Sequence, residues 1–385
     1  MAKTIKAKKK NHHILLYAAS EIDANILYAT DFFAPDPFIF FRTAQGKKYL
    51  VMSDLEIDRA KTTSTAHHVL SLSRYTQLAE QRKKGKTPNV AEIIVEVFRE
   101  KKIKSVTVPD NFPLRLADDL RKNKIRVTAK PGSMFPERLH KSPAEVKEIR
   151  KAMQACEAGM RMAEDTLKQS KIKNGYVMFE GQRLTAEILR KRINSVVFTR
   201  GYLPSRTIVS PGKHGCDPHD EGSGPIRANS PVIVDIFPRS DSSGYFGDMT
   251  RTFLKGKAPD KIARMYEAVH AAQLLGLRSI KAGAACKNIH QSIMDLFEKN
   301  GFPTGEINGR MQGFFHGTGH GLGLEIHEPP RIAINDLVLE KGMIVTVEPG
   351  LYYHPIGGVR IEDTVLVTQN GIQNLTRYAK RLEIP

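Results

Sequence analysis

Residues 231–253 read PVIVDIFPRSDSSGYFGDMTRTF, and this stretch decides the fold. Two apolar runs, 231–236 and 249–253, lie on either side of a turn rich in serine and glycine, which predicts two strands. Acids interrupt this pattern, since Asp235 lies within the first run and Asp248 directly precedes the second. An ionised carboxylate in an apolar strand destabilises a fold unless cations or hydrogen bonds compensate it. The two acids therefore need partners that apolar strands do not supply.

Two later stretches repeat this combination of an apolar strand with an acid. Residues 344–350 read IVTVEPG and place Glu348 at the end of an apolar run, and residues 357–365 read GGVRIEDTV. Strand alternation places Arg360 and Glu362 on one face, and the neighbouring valine and isoleucine side chains on the other. A single such acid has a structural explanation, as a strand-end carboxylate or as the ion-pair partner of Arg360. Four of them are harder to explain in this way.

Four converging carboxylates would repel one another, and their pKa values would rise steeply. Two divalent cations would neutralise that charge, and a histidine in the glycine-rich stretch 317–323 can add one imidazole. We therefore predict a dinuclear metal site. An oxygen-rich site with one nitrogen favours manganese, with cobalt, iron or zinc as alternatives, and paired metals can polarise a carbonyl for hydrolysis. The predicted ligands are Asp235, Asp248, His320, Glu348 and Glu362.

The length and composition indicate a globular protein of two domains. The chain has 385 residues, of which 41% are hydrophobic and 26% charged, and this length exceeds one compact core. Residues 1–140 alternate short apolar strands, one of them at 24–28, with amphipathic helices, which predicts a small α/β domain behind a basic arm at 1–11. Residues 142–145 read SPAE, a helix-capping box, and open a second domain at 141–385. There, pairs of helices precede strands, which indicates an α+β domain of two similar halves.

The net charge of +18 invites a nucleic-acid interpretation, but no helix-turn-helix, zinc-finger or aromatic-interleaved motif accompanies the charge. A solvated basic surface is preferred, so nucleic acid is not an expected partner. No run approaches the roughly 18 apolar residues of a membrane helix, and no membrane span is expected. Three cysteines, Cys156, Cys216 and Cys286, cannot make a disulfide framework and favour a reducing, cytoplasmic location.

The acid-bearing stretches together resemble one known family. They read VIVDIF (232–237), GDMTRTF (247–253), HGTGHGLGLEIHE (316–328), VEPGLYY (347–353) and GGVRIEDTVLVT (357–368). In order and spacing they are similar to the pita-bread metallopeptidases, the group of aminopeptidase P, prolidase and methionine aminopeptidase. The resemblance covers about 140–385 and implies an α+β pita-bread (creatinase/aminopeptidase-like) catalytic domain. Residues 20–38, SEIDANILYATDFFAPDPF, are similar to the start of the smaller α/β creatinase-type N-terminal domain of the Xaa-Pro branch.

The same resemblance implies a role for individual residues. The five predicted ligands match the family's metal ligands, with Glu362 bridging the two ions and Glu348 also moving protons. Creatinase shares the fold without these acids, so their presence here argues against that metal-free branch. His327, His316 and His219 match histidines that bind substrate and move protons beside the scissile bond.

Two further residues complete the implied site. Arg360 matches an arginine that orients this network or the substrate, and Tyr352 lies behind it. One departure from the family pattern is that Ile236 and Phe237 replace the usual small residue and glycine. We therefore expect intact ligands inside an altered rim.

The implied activity is hydrolysis of the bond between an N-terminal residue and proline, by an Xaa-Pro aminopeptidase acting on proline-containing peptides. A strict Xaa-Pro dipeptidase (prolidase) is the alternative within the family. A non-catalytic pita-bread scaffold is less favoured, because it is expected to have lost ligands. The family also implies a homo-oligomer, a dimer or larger.

Overall fold

A computed structural model describes residues 12–385, so the predicted basic arm at 1–11 lies outside the described residues. The chain forms two compact units, and it passes from the first to the second between Pro136 and Glu137. The domain boundary predicted from the sequence lies a few residues later, at 140. Among the described helices, none combines the length and apolar character needed to cross a bilayer.

The first unit is built on a mixed sheet of six strands in the order β4-β3-β2-β1-β5-β6. Its strands are β1 (Ile14–Ala18), β2 (Phe38–Arg42), β3 (Lys48–Met52), β4 (His68–Ser71), β5 (Ser105–Pro109) and β6 (Arg126–Lys130). Its helices are α1 (Ala24–Thr30), α2 (Ile57–Thr63), α3 (Leu72–Arg82), α4 (Val90–Glu100) and α5 (Leu114–Lys122). Parallel pairs and interleaved helices agree with the predicted α/β class.

The strand predicted at 24–28 is wrong, because these residues begin α1. Asp23 caps this helix, and its Oδ1 accepts a hydrogen bond of 2.8 Å from the backbone N–H of Ile26. The helix buries most of its side chains and therefore lacks a polar face. A short, wholly apolar run does not distinguish a strand from a buried helix by its periodicity.

The second unit carries the remaining elements. Its helices are α6 (Pro143–Gln169), α7 (Ala186–Phe198), α8 (Asp260–Ser279) and α9 (Cys286–Lys299). Its first strands are β7 (Lys171–Lys173), β8 (Tyr176–Phe179), β9 (Gln182–Arg183), β10 (Tyr202–Leu203), β11 (Ile208–Pro211), β12 (Val232–Ile236), β13 (Arg239–Ser240) and β14 (Met249–Lys255). The later strands are β15 (Gly305–Ile307), β16 (Arg310–Gln312), β17 (Gly319–Gly321), β18 (Glu328–Ile332), β19 (Ile344–Val347), β20 (Gly350–Tyr353), β21 (Gly357–Arg360), β22 (Asp363–Val367), β23 (Ile372–Asn374) and β24 (Glu383–Ile384).

Helix α6 begins at the predicted capping box. Ser142 Oγ accepts a hydrogen bond from the backbone N–H of Glu145 at 3.3 Å, and Glu145 Oε2 accepts one from the N–H of Ser142 at 2.8 Å. The apolar side chains behind this cap are buried, and Met153, Cys156 and Met160 belong to the core. All three cysteines are buried free thiols.

Two sheets organise the unit, each with its own helix pair. Helix α6 packs against β12 and β14 of the sheet β11-β12-β14-β24, and α7 packs against β11. Helix α8 packs against β19, and α9 against β18, both in the sheet β18-β17-β19-β22-β23. Each half thus has a helix pair over a sheet that is antiparallel except for the parallel pair β14 and β24. Each half also has its own hydrophobic cluster.

The strand that the alternation within 357–365 indicates is interrupted. It ends as β21 at Arg360 and resumes as β22 at Asp363, so that Ile361 and Glu362 lie between two strands. The predicted alternation nevertheless holds, because Val359, Ile361 and Val365 enter one hydrophobic cluster. The side chains on the other face form hydrogen bonds to residues of the β12–β14 region, and they belong to Arg360, Glu362 and Thr364.

Candidate metal centre

The five predicted metal ligands come from five separated segments and line one cavity of about 850 Å³. Among the ligands, Asp235 lies in β12, Asp248 directly precedes β14, and His320 lies in β17. Glu348 directly follows β19, and Glu362 fills the gap between β21 and β22. The cavity also contains the other predicted residues, His219, His316, His327 and Arg360.

Sheet register and two close backbone approaches fix this convergence. Asp235 pairs across the sheet with Ile208 on one side and Thr250 on the other. A Cβ on Gly319 would lie 1.9 Å from the Thr346 carbonyl oxygen, and a Cβ on Gly321 would lie 2.2 Å from the Pro329 carbonyl oxygen. Only glycine fits at these two positions, and they flank His320. The glycine-rich stretch therefore lets the backbone approach closely on both sides of His320.

The orientation of His320 leaves its lone pair facing acids. Its Nδ1 lies 3.0 Å from the Gly321 carbonyl oxygen, which can only accept, so Nδ1 carries the proton. Its Nε2 then points an unshared electron pair at Glu348 Oε1, 3.3 Å away, and at Asp248 Oδ2, 3.6 Å away. Burial lowers the pKa of His320 to about 3, so the ring is neutral. Three electron-rich groups that face one another need a cation between them.

The carboxylates show the same deficit of positive charge. Burial, followed by repulsion from neighbouring acids, raises the pKa values of Asp248 and Glu362 well above their usual range, and burial raises that of Glu348 to about 7. Asp235 Oδ1 and Glu362 Oε1 are buried without a hydrogen-bond partner among residues 12–385. Such orphaned oxygens are rare in native proteins and require an explanation.

The three most closely grouped ligands have the geometry of a cation site. Asp248, His320 and Glu362 each offer one donor atom, and these three atoms lie within 4.8 Å of one another. The donor set of carboxylate oxygens and one neutral imidazole suits a divalent metal ion. The residues present therefore fit the metal that the sequence predicts.

Arg360 is the buried cation nearest to these acids, and it heads a chain of hydrogen bonds. Its Nη2 donates to Asp235 Oδ2 at 2.8 Å, and its Nη1 donates to the Tyr352 hydroxyl at 3.1 Å. That hydroxyl lies 2.8 Å from Nε2 of His316, whose Nδ1 lies 2.8 Å from the Gly317 carbonyl oxygen. Tyr352 therefore donates to His316, and both ring nitrogens of His316 are engaged. One guanidinium cannot offset four carboxylates.

The remaining histidines are exposed in the cavity. The ring of His327 lies 4.5 Å from that of His320 in an edge-to-face arrangement, and His219 lines the cavity from the loop after Cys216. Arg331 also lines the cavity, in β18, and sequence reasoning missed this residue. Its guanidinium is not hydrogen-bonded or ion-paired with any residue of the described chain.

Three threonines that sequence reasoning also missed hold the ligands. Thr250 Oγ1 donates to Glu362 Oε2 at 2.8 Å, and Thr346 Oγ1 lies 3.3 Å from Glu348 Oε1. Thr318 accepts a backbone hydrogen bond from Glu348, and its hydroxyl lies 2.9 Å from Nδ1 of the buried His290. A hydroxyl two residues before or after an acid on the same strand face is the signal that could have found Thr250 and Thr346.

A buried ion-pair cluster anchors the segment that follows His320. The carboxylate of Glu328 accepts hydrogen bonds from Arg138 and, at 2.9 Å, from Lys141 Nζ. All three side chains are buried. Since Glu328 directly follows His327, this cluster fixes the backbone that presents His327 to the cavity. The partners are nearly two hundred residues apart in the chain, which hides the cluster from a sequence.

A family model described as metallopeptidase family M24 matches residues 147–369, more than half of the chain. The match includes every predicted site residue. The chain therefore belongs to metallopeptidase family M24. It is a peptidase of the Xaa-Pro branch, and hence a hydrolase, and its family implies divalent metal ions.

Individual proteins support the same assignment. The Xaa-Pro dipeptidase of Pyrococcus horikoshii is 30% identical over 285 residues, which are 73% of this chain and 75% of that protein. The Xaa-Pro dipeptidase of Pyrococcus furiosus is 36% identical over 178 residues, and that alignment covers 46% of this chain and 48% of its relative. The solved Xaa-Pro dipeptidase from Bacillus anthracis has a TM-score of 0.80 at 25% identity and covers 97% of this chain and 95% of its own. The pita-bread fold and its α/β front domain are thereby confirmed.

Proposed function

We propose that this protein is an Xaa-Pro dipeptidase, which hydrolyses the bond between a first residue and a carboxy-terminal proline. This reverses the preference drawn from the motifs, which favoured the aminopeptidase over the dipeptidase. Relatives named Xaa-Pro dipeptidase support the reversal. The proposal includes two divalent metal ions, preferably manganese, held by Asp235, Asp248, His320, Glu348 and Glu362.

The metal-binding part of the proposal is supported by the charge deficit of the centre. Two orphaned buried oxygens and an imidazole lone pair directed at acids are what a ligand set requires. Divalent ions bound there would supply Lewis-acid polarisation of the scissile carbonyl and activation of water. Arg360 would hold Asp235 in place through its Nη2, and Thr250 would hold Glu362.

The observation that carries the choice of a dipeptide is the unpaired Arg331. In an Xaa-Pro dipeptide the proline bears the terminal carboxylate, whereas in a longer peptide that position is a neutral amide. A guanidinium that lacks a protein partner within the described chain and lines the cavity suits such a carboxylate. The amino group of the first residue would lie at the other end of the substrate, beside the metal centre. The cavity thus has a positive side chain for the carboxylate end of a dipeptide and the metal centre for its amino end.

Proton transfer would be divided between two residues. Glu348 is the most accessible of the four acids, with 18% of its side chain exposed, and its Oε1 is held beside Thr346 Oγ1. We assign it to accept a proton from the attacking water and pass it to the leaving proline nitrogen. A ring N–H of His327, exposed in the cavity, would donate to the developing oxyanion. His219 would line the substrate's path. His316 would orient Tyr352 and Arg360, because both of its nitrogens are engaged.

The test compares Ala-Pro with Ala-Pro-Ala, using protein loaded with Mn²⁺ and analysed for bound metal. We expect about two metal ions per chain and hydrolysis of the dipeptide only. Release of alanine from the tripeptide at a comparable rate would favour an Xaa-Pro aminopeptidase over the dipeptidase. If neither peptide is cleaved by metal-loaded protein, the proposed function is wrong. Assembly into a homo-oligomer and a cytoplasmic location stay predictions.

A further inference from the structure

Phe237 enters the cavity because of strand alternation. In β12 and the residue after it, Val232, Val234 and Ile236 pack into the core beneath α6. Ile233 and Phe237 belong to a different apolar cluster on the opposite face, the face that also carries Asp235. The side chain at 237 therefore lies on the ligand side of the sheet, two residues from a predicted metal ligand.

Phe237 is part of a packed wall. It is half-buried and contacts the cluster of Ile208, Ile233 and Tyr352, with Phe315 packed against the same cluster. Ile208, the cross-strand partner of Asp235, also lines the cavity. An apolar surface thus lies beside the acid centre. The cavity still measures about 850 Å³ with Phe237 in place, so this ring forms a wall and does not plug the space.

The chemistry of the substrate decides which residue meets this wall. On the proposed function, the first residue of the peptide carries both the amino group and the scissile carbonyl, and both would lie at the metal centre. Its side chain must therefore lie next to Asp235, where Ile208 and Phe237 stand. A large apolar side chain would cover this wall and exclude water from it, whereas glycine or alanine would leave its apolar surface exposed to water.

We propose that Phe237 is a specificity-determining residue that selects a large apolar residue before proline. The proposal rests on the proposed function and extends it to the substrate class, Xaa-Pro dipeptides in which Xaa is leucine, methionine or phenylalanine. It also explains the physical effect of the departure at this position, because the glycine usual there offers no side chain to form such a wall.

The experiment measures kcat/KM for Leu-Pro, Phe-Pro, Ala-Pro and Gly-Pro with the metal-loaded protein and its F237A and F237L variants. We expect Leu-Pro to exceed Ala-Pro by at least about tenfold in the parent protein, a ratio typical of apolar pocket contacts. F237A should lower that ratio by about tenfold, because the large side chain of Leu-Pro loses the apolar wall that it covers. F237L, which keeps an apolar side chain, should retain most of the preference.

The matched control is F198A, which removes a phenylalanine that is 63% exposed on α7 and does not line this cavity. It should leave all four rates unchanged. An unchanged Leu-Pro to Ala-Pro ratio in F237A, or faster cleavage of Phe-Pro, would overturn the inference while the proposed function stands. Failure of the parent protein to cleave any of the four dipeptides would overturn both. Thermal unfolding measures whether F237A is folded, and F237L tests the inference if it is not.

Discussion

Two consecutive acids, Glu362 and Asp363, are equally buried but have opposite surroundings. Asp363 accepts hydrogen bonds from Arg251 Nη2 at 2.8 Å and Asn374 Nδ2 at 2.9 Å, and Lys380 Nζ lies 2.8 Å away. Burial raises the pKa of its carboxyl, but the cations of Arg251 and Lys380 outweigh burial and hold this pKa below the usual range. Glu362 accepts one hydrogen bond from Thr250 and keeps an orphaned oxygen.

The difference separates structural from functional charge within one domain. Asp363, like Glu328 with Arg138 and Lys141, is an acid whose cations are supplied by the protein. By contrast, Asp248, Glu348 and Glu362 lie around one centre, and burial raises the pKa value of each. Where the protein neutralises a buried charge, removal of that charge should cost stability. Where it does not, removal should cost function.

The largest expected effect is at the metal centre. Asp248→Asn should bind less metal and lower the hydrolysis of Ala-Pro by about a thousandfold or more, because it removes a ligand oxygen charge. In metal-free protein the same change should not lower the unfolding temperature, since it relieves repulsion among buried acids. Metal analysis, turnover and thermal unfolding measure the three effects. Asp241→Asn, an exposed acid in the turn before β14, is the control. Full turnover of Asp248→Asn with two metal ions bound would contradict the assignment of Asp248 as a functional charge.

The second effect concerns stability. Asp363→Asn should destabilise the protein by about 3–5 kcal/mol, because it leaves Arg251 buried beside a neutral partner. Urea unfolding of metal-free protein measures this loss. Asp336→Asn removes an exposed acid that pairs with Lys287, and such pairs contribute about 1 kcal/mol or less. Equal losses in the two variants would contradict the assignment of Asp363 as a structural charge.

The third effect tests an unpaired cation. Arg331→Met should lower kcat/KM for Ala-Pro by about 10- to 100-fold, mainly through KM, because a charge-assisted contact to the substrate carboxylate contributes about 1.5–3 kcal/mol. Its unfolding temperature should not change, since no described residue pairs with this guanidinium. Arg278→Met, an exposed arginine at the end of α8, should change neither quantity. A loss of stability without a change in KM would assign Arg331 to structure.

The smallest effect is a difference in pH dependence. Burial raises the pKa of Glu328, but the charges of Lys141 and Arg138 outweigh it and hold this pKa below its ordinary value near 4.5. Its contribution to stability is therefore complete above about pH 4.5 and is lost as the pH falls through the lowered folded value. Urea midpoints of metal-free protein between pH 7 and pH 3 should fall less steeply for Glu328→Gln than for the parent. Parallel curves would contradict this view of the cluster.

Much of the candidate site could be predicted from the sequence, because its residues are of types that are unusual in their local surroundings. Acids in apolar strands and a histidine between glycines are conspicuous in a linear pattern, and the cap at Ser142 is decided by neighbours three residues apart. The same patterns predicted strands at 231–236 and 249–253, and both are present as β12 and β14. Local chemistry is visible in this way because strands and caps are short-range structures.

What the sequence concealed depends on long-range partners. The Glu328 cluster joins residues near 140 to residues near 325, and nothing in either segment alone predicts it. The sequence predicts a strand in place of helix α1, because burial on all sides removes the periodicity that identifies a helix. The unpaired state of Arg331 is a property of its three-dimensional surroundings. Only the structure therefore identifies which charges are paired and which are not.

The segment that joins β21 to β22 must also keep its number of residues. Side chains alternate across a strand, so a deletion or insertion of one residue between Arg360 and Thr364 would exchange the directions of Glu362 and Asp363. The cavity would then gain the wrong acid, and Arg251 would lose its partner. The exposed hairpin β15–β16 carries no such alternation of partners and can change in length at little cost. Indels should consequently be absent from the first segment among functional variants and tolerated in the second.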